Sequence, residues 1–232
     1  MVQSMGIVSN QMVTTMQATI EKIPLFSGLA QSDIEAISRH AVVKTYPRNA
    51  VLINEGDESD SLYVILSGTV KVFLSDAEGK EIILNTQGVG EYFGELALMD
   101  DAPRSASVMT LEDCKLSIIC KKDFEEFLTN HPQVAIRVIK GLTGRLRTLT
   151  ANVKSLALMD VYGRVARTLL NLATDEDGKL VIHQKLTQRD IANMVGASRE
   201  MVSRILRDLS TGGYITIERK HITINEKLPP AW

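Results

Sequence analysis

Two stretches of this 232-residue chain carry side chains whose types and spacing could do chemistry. The first, residues 93–108, reads FGELALMDDAPRSASV: Gly94 stands at the mouth of a very short apolar helix, Glu95 lies just inside it, and Arg104 and Ser105 follow after DDAP. A helix start offers backbone N–H groups to an anion, and Gly94 allows a close approach. Arg104 adds a cation suited to bidentate pairing with a phosphate, and Ser105 adds another donor. Glu95 would repel a phosphate unless it accepted a hydrogen bond from a neighbouring hydroxyl, as a ribose 2′-OH would provide. The set therefore points to a nucleotide; the plain alternative is a Glu95–Arg104 ion pair across a sheet corner. The second stretch, LTQRDIANMVGASREMVSRILRDLSTGGYI, concentrates Arg199, Glu200, Ser203 and Arg204 in two helical turns. Arginine matches guanine O6 and N7, and glutamate matches cytosine N4. Gln188, Arg189, Ser198 and Lys220 are candidate phosphate contacts, which position a protein on DNA without reading sequence.

These side chains need elements to hold them. Between Ala41 and Ile119 apolar residues alternate, and residues 51–53, 62–66, 69–74, 81–84, 107–109 and 115–120 read as short strands. NEGDESD, SG, SDAEGK and TQGVGE separate them, and Gly56, Gly68 and Gly79 read as turn residues. So many short strands predict an antiparallel jelly roll rather than a parallel sheet. Ahead of them, Leu25, Phe26 and Leu29 anchor a small helix for which Ser32 and Glu35 form a capping box.

Residues 133–158 read as one long helix. Leu142, Leu146, Leu149, Val153 and Leu156 are spaced by four, three, four and three, the seam of a two-stranded coiled coil, so a homodimer is expected. An amphipathic core helix is the other reading of so short a seam. Asp160 is placed to cap the next helix, VYGRVARTLLNLA, after which TDEDGK turns into a strand, LVIH. In the C-terminal stretch, Thr187 caps one helix, Gly196 makes a tight turn and Ser198 caps a second helix, a helix-turn-helix; GGYITIERKHITI adds a two-stranded wing. The fold class is α+β, divided as a tail over 1–18, a sensing jelly roll over 19–132, a dimerisation helix over 133–159 and a winged helix over 160–232.

The totals constrain function weakly. Net charge is −2; residues 161–232 hold 11 basic and 8 acidic side chains, a surplus of three that permits nucleic-acid binding without arguing for it. Cys114 and Cys120 lack metal-ligand spacing and read as reduced, buried thiols. No apolar run reaches membrane length and no signal sequence opens the chain, so a cytoplasmic protein without a membrane partner is expected. His40, His131, His183 and His221 are scattered; no metal site and no nucleophile–base pair emerges, which argues against an enzyme using Glu95 and Arg104 on phosphates.

EGDESDSLYVILSGTVKV, GEYFGELALMDDAPRSASV and the C-terminal motif, in that order over residues 23–224, closely resemble the cyclic-AMP receptor protein and fumarate–nitrate regulator superfamily of bacterial transcription factors. The resemblance implies a cyclic-nucleotide-binding barrel in which Gly94 and Glu95 meet the ribose and cyclic phosphate while Arg104 and Ser105 hold the phosphate. It requires no obligatory cofactor and implies a cyclic nucleotide effector, with cyclic AMP first. Family members of the best-known kind read the adenine amino group with a Thr–Ser pair on the central helix, one residue from each subunit. Leu149 and Thr150 fall at those positions, and Leu149 cannot make a hydrogen bond. Cyclic GMP, cyclic di-GMP and a ligand-independent regulator of the same fold are the alternatives. Relatives that bind the cyclic dinucleotide tend to lose the cassette arginine, which this chain keeps, and neither an N-terminal cysteine cluster nor a haem-ligand pattern points to redox or gas sensing.

The same resemblance implies double-stranded DNA as partner and a palindromic site. RExxxR is similar to readers of TGTGA half-sites, whereas ExxSR is similar to readers of TTGAT; with Arg199 present, the TGTGA type is expected. RNA polymerase is a further implied partner, through the segment 174–185, which is short compared with the best-known member.

Overall fold

The computed structural model describes residues 23–229 other than 59, 177, 185, 219 and 220. The expected tail over 1–18 and the candidate phosphate contact Lys220 lie outside the described residues. The chain divides into two compact units, one of Met1–Leu74 with Asn85–Gly144, the other of Ser75–Leu84 with Arg145–Trp232.

In the first unit, a 3₁₀ turn over Pro24–Phe26 leads to helix α1, Gln31–His40. Strands β1 (Val42–Tyr46), β2 (Val51–Ile53), β3 (Ser61–Ser67), β4 (Val70–Ser75), β5 (Glu81–Gln87) and β6 (Tyr92–Phe93) follow. Then come α2 (Leu96–Asp100), β7 (Ser107–Thr110), β8 (Cys114–Cys120), α3 (Lys121–Asn130) and α4 (Pro132–Leu158), whose residues from Arg145 on belong to the second unit, as do Ser75 of β4 and Glu81–Leu84 of β5. The strands form two four-stranded sheets, ordered β1-β8-β3-β6 and β2-β7-β4-β5, the strand order of a jelly roll. The registers of β1 with β8, β8 with β3, β3 with β6, β2 with β7 and β7 with β4 are all antiparallel.

Strand β3 shows why the sequence builds this arrangement. Leu62, Val64 and Leu66 face a cluster with Phe26, Ile37, Phe124 and Val138 of the flanking helices, whereas Ile65 faces a second cluster with Ile53, Phe93, Val108 and Leu116. Both faces of the strand are covered, so LYVIL is a nearly continuous apolar run rather than a strict alternation. Each such buried aliphatic side chain stabilises the fold by about 1.5–3 kcal/mol.

Three local expectations are corrected. Strands β1 and β6 were not among those read from the sequence: among the described residues β1 has only β8 as neighbour and leaves Val42 exposed, and β6 is two residues long. Helix α1 starts two residues earlier than a Ser32 cap requires; Ala30 is the N-cap and makes no side-chain bond, while the Ser32 hydroxyl lies 3.4 Å from Asp33 Oδ1. The segment after α5 (Val161–Leu172) is a hairpin of β9 (Thr174–Glu176) and β10 (Lys179–Ile182), although Thr-Asp-Glu carries little strand propensity.

In the second unit, Asp160 caps α5 by accepting from the Gly163 N–H at 2.7 Å. Helices α6 (Gln188–Val195) and α7 (Arg199–Thr211) and strands β11 (Ile215–Glu218) and β12 (His221–Ile224) complete a sheet ordered β11-β12-β10-β9. Leu169, Ile182, Ile191, Val202, Leu206, Leu209 and Ile222 close a core confined to this unit. Arg164, which the sequence reading did not single out, ties helix ends together: Nη1 donates to the Met159 carbonyl at 2.9 Å and Nε to the Val195 carbonyl at 2.8 Å. No described helix is long and apolar enough to cross a membrane. Cys114 and Cys120 are free thiols, the first buried and the second half-buried.

Candidate nucleotide and DNA sites

Gly94, Glu95 and Arg104 converge where β6 passes into α2. Gly94 has φ +84°, and a Cβ there would stand 2.5 Å from Arg104 Nη1 and 3.0 Å from the Ser61 carbonyl oxygen, so only glycine fits. Arg104 Nη1 donates to the Gly94 carbonyl at 2.5 Å and Nη2 to the Ser61 carbonyl at 2.6 Å. Its backbone is latched to the loop after β2: the Arg104 N–H donates to Asp57 O at 2.9 Å, and the Gly56 N–H donates to Arg104 O at 2.8 Å. The Ser61 and Asp57 carbonyls were missed in the sequence, because a backbone acceptor leaves no residue-type signal.

Arg104 and Glu95 are each only 3% exposed. Burial lowers the guanidinium's pKa from its usual value, opposed by the Tyr63 phenol and the carboxylates of Glu95 and Asp60. An arginine remains cationic under that shift, so the site holds a buried positive charge with a buried carboxylate in its field. Tyr63 lies flat on Phe93, ring centroids 5.0 Å apart, walling the strand that leads into Gly94. Ser105 is exposed beside Arg104. Helix α2 has only five residues; Ala97 and Leu98 are buried and Asp101 closes it in a left-handed conformation, ion-paired with Lys121.

Leu149 and Thr150 lie on α4 within the second compact unit. The Thr150 hydroxyl donates to the Leu146 carbonyl at 2.9 Å, which leaves its oxygen an acceptor. Of the seam, Leu142 is half-buried against the first unit's core. Leu146, Leu149, Val153 and Leu156 are 65%, 41%, 65% and 43% exposed.

Local chemistry places the helix-turn-helix. Thr187 and Asp190 form a reciprocal capping box at the start of α6, Gly196 ends it in the left-handed region at φ +64°, and Ser198 caps α7 by accepting from the Met201 N–H at 3.2 Å. Val202, Ile205, Leu206 and Leu209 bury one face of α7, which leaves Arg199, Glu200 and Arg204 exposed and Ser203 half-buried. Ser198 and Arg189 are exposed and Gln188 half-buried at the neighbouring helix starts. Gln188, Arg189, Ser198, Arg199 and Glu200 line a crevice of about 950 Å³ whose other wall includes Glu78–Glu81, and Asn193 Nδ2 donates to Glu81 Oε2 at 3.1 Å.

Two family models match the chain. Residues 43–131 match the cyclic nucleotide-binding domain and residues 163–227 the Crp-like helix-turn-helix domain. The chain is 33% identical over 215 residues to a CRP-like cAMP-activated global transcriptional regulator of Mycobacterium tuberculosis, covering 91% of this chain and 96% of that one. It is 35% identical over 206 residues to the cAMP-activated global transcriptional regulator CRP of Salmonella typhimurium, covering 85% and 97%. Among solved structures, the c-di-GMP responsive global regulator CLP of Xanthomonas campestris superposes with a TM-score of 0.75 at 25% identity, covering 85% of this chain and 100% of that one. With a nucleotide-binding jelly roll and a Crp-like helix-turn-helix in one chain, this protein belongs to the cyclic-AMP receptor protein and fumarate–nitrate regulator superfamily of bacterial transcription regulators.

Proposed function

We propose that this protein is a homodimeric, cytoplasmic regulator whose binding to a palindromic TGTGA-like site is controlled by cyclic AMP bound at Gly94, Glu95, Arg104 and Ser105. The observation that carries the reading is the buried Arg104 guanidinium, held at the cassette wall by two backbone carbonyls beside buried Glu95. A buried guanidinium at the cassette wall is charge-complementary to a cyclic phosphate, whose oxygens can accept charge-assisted hydrogen bonds from it. The two relatives described as cAMP-activated favour cyclic AMP as the nucleotide. The exposed Leu146, Leu149, Val153 and Leu156 supply the dimer seam, Arg199, Glu200 and Arg204 the base contacts, and Gln188, Arg189, Ser198 and Lys220 the phosphate contacts. RNA polymerase would be met through the β9–β10 hairpin. Ligand binding acts as a population shift that sets the two recognition helices about 34 Å apart, one turn of DNA.

One observation favours a second reading: Arg104 already donates to two protein carbonyls, as it would in a ligand-independent regulator. Isothermal titration with cyclic AMP, cyclic GMP and cyclic di-GMP separates the readings. Heat with cyclic AMP and a matching rise in DNA affinity is expected. No heat with any of the three at millimolar ligand, and DNA affinity unchanged, would assign the ligand-independent role.

A further inference from the structure

Tyr92 opens β6, the two-residue strand that runs directly into Gly94 and Glu95. Its ring is buried in the cluster that contains Val134 and Val138 of α4, and its hydroxyl donates to the Val138 carbonyl at 3.5 Å. That carbonyl is already the acceptor position of a regular helical bond, so the phenol adds a second, weak bond. What fixes the contact is shape. At Gly141, one turn further on, an added Cβ would overlap the Tyr92 Oη. Glycine is poorly suited to a helix interior, and α4 runs 27 residues. At Gly144 nothing lies within 4 Å of the place a Cβ would take, so close approach singles out Gly141.

We propose that Tyr92 is a positioning residue of the nucleotide site, its phenol seated in the Gly141 notch so that occupancy of the cassette is transmitted to α4. The inference rests on the nucleotide-binding reading above. A nucleotide engaging Gly94, Glu95 and Arg104 fixes the backbone that Phe93 joins to Tyr92. The buried Tyr92 ring is rigid beyond two torsions and fits a close-packed interior, so a displacement of β6 moves the helix rather than being absorbed. Helix α4 also bears Leu146, Leu149 and Val153, so a change in its seating reaches the proposed dimer face. The contact is thus a two-sided device: the phenol is the strut and the missing Cβ its seat.

The test uses the full chain, with cyclic AMP affinity measured by titration and the gain in DNA affinity on adding saturating cyclic AMP measured by fluorescence anisotropy. Gly141→Ala is expected to cut that gain by about tenfold, within the range of ordinary coupling between sites. Adding Tyr92→Phe, which removes the overlapping oxygen, is expected to restore it to within about threefold of the parent. Tyr92→Leu, which removes the strut and leaves the notch, is expected to lose the gain as well, and it carries the test if Gly141→Ala fails to fold. A parental gain in Tyr92→Leu, or no rescue of a folded Gly141→Ala by Tyr92→Phe, overturns the proposal. Absence of cyclic AMP heat in the parent sinks the nucleotide reading and this inference with it, an outcome distinct from bound ligand with unaltered coupling.

Discussion

Arg104 does two jobs whose energies separate by substitution. Its guanidinium satisfies the Gly94 and Ser61 carbonyls, and in the proposed complex it faces the cyclic phosphate. Arg104→Gln keeps a donor for one carbonyl and removes the charge. Loss of a charge-assisted pair worth about 1.5–3 kcal/mol is expected to weaken cyclic AMP binding by about 10- to 100-fold, measured by titration on folded protein. Parental affinity in Arg104→Gln would place the phosphate elsewhere. Gly94→Ala fails for a different reason. It combines a positive φ with a Cβ 2.5 Å from Arg104 Nη1, so it is expected to cost about 1–3 kcal/mol of stability, read by denaturant unfolding, and to displace the arginine as well. At this scale the motif is legible: Gly94, Glu95 and Arg104 are recognisable from type and spacing, and the chain brings them together. Illegible are the partners that complete the site, the Ser61 carbonyl and the Tyr92–Gly141 contact, because a carbonyl has no side-chain signature and a notch exists only once two distant segments meet.

Helices and strands follow the same division between local and non-local information. Asp160, Thr187 and Ser198 cap the helices that their types and spacing predict, because each cap is decided within four residues. Strand β1 escapes notice because a strand with one described neighbour and a solvent face needs no apolar alternation, and the Ser32 cap fails because α1 already begins at Gln31, two residues before that cap would start it. Arg164 illustrates what local reading misses. It looks like an exposed helix charge in VYGRVAR, yet it donates to carbonyls at Met159 and Val195, where helix C-termini concentrate negative partial charge. Arg164→Met retains the aliphatic stem and leaves both acceptors without that donor. The expected loss is about 1–3 kcal/mol in the unfolding free energy, with the Thr187→Ala cap variant losing about 1 kcal/mol as a calibrant. Equal stability of Arg164→Met and the parent would show that water satisfies both carbonyls.

For the whole molecule, the exposed apolar residues of α4 and the recognition surface of α7 make one joint prediction. A twofold dimer reads two half-sites on one face of the duplex, so affinity must depend on the helical phase between them. Lengthening the spacer of a TGTGA palindrome by about 5 bp, half a turn, rotates one half-site to the opposite face and is expected to reduce affinity towards the non-specific level. A spacer lengthened by a full turn preserves phase but not distance, and tests how far the dimer can stretch. Disrupting the seam with Val153→Glu places two like charges in the proposed dimer interface and is expected to yield monomers in sedimentation. Those monomers should lose the phase dependence while keeping the base preference of a single half-site. Arg199→Ala then separates reading from assembly: about 1–3 kcal/mol of specific affinity is lost and discrimination at its base pair relaxes, while the dimer and its phase dependence persist. If Val153→Glu remains dimeric and phase-dependent, the seam lies elsewhere on the chain, and the exposure of Leu146, Leu149, Val153 and Leu156 in the single chain needs another occupant.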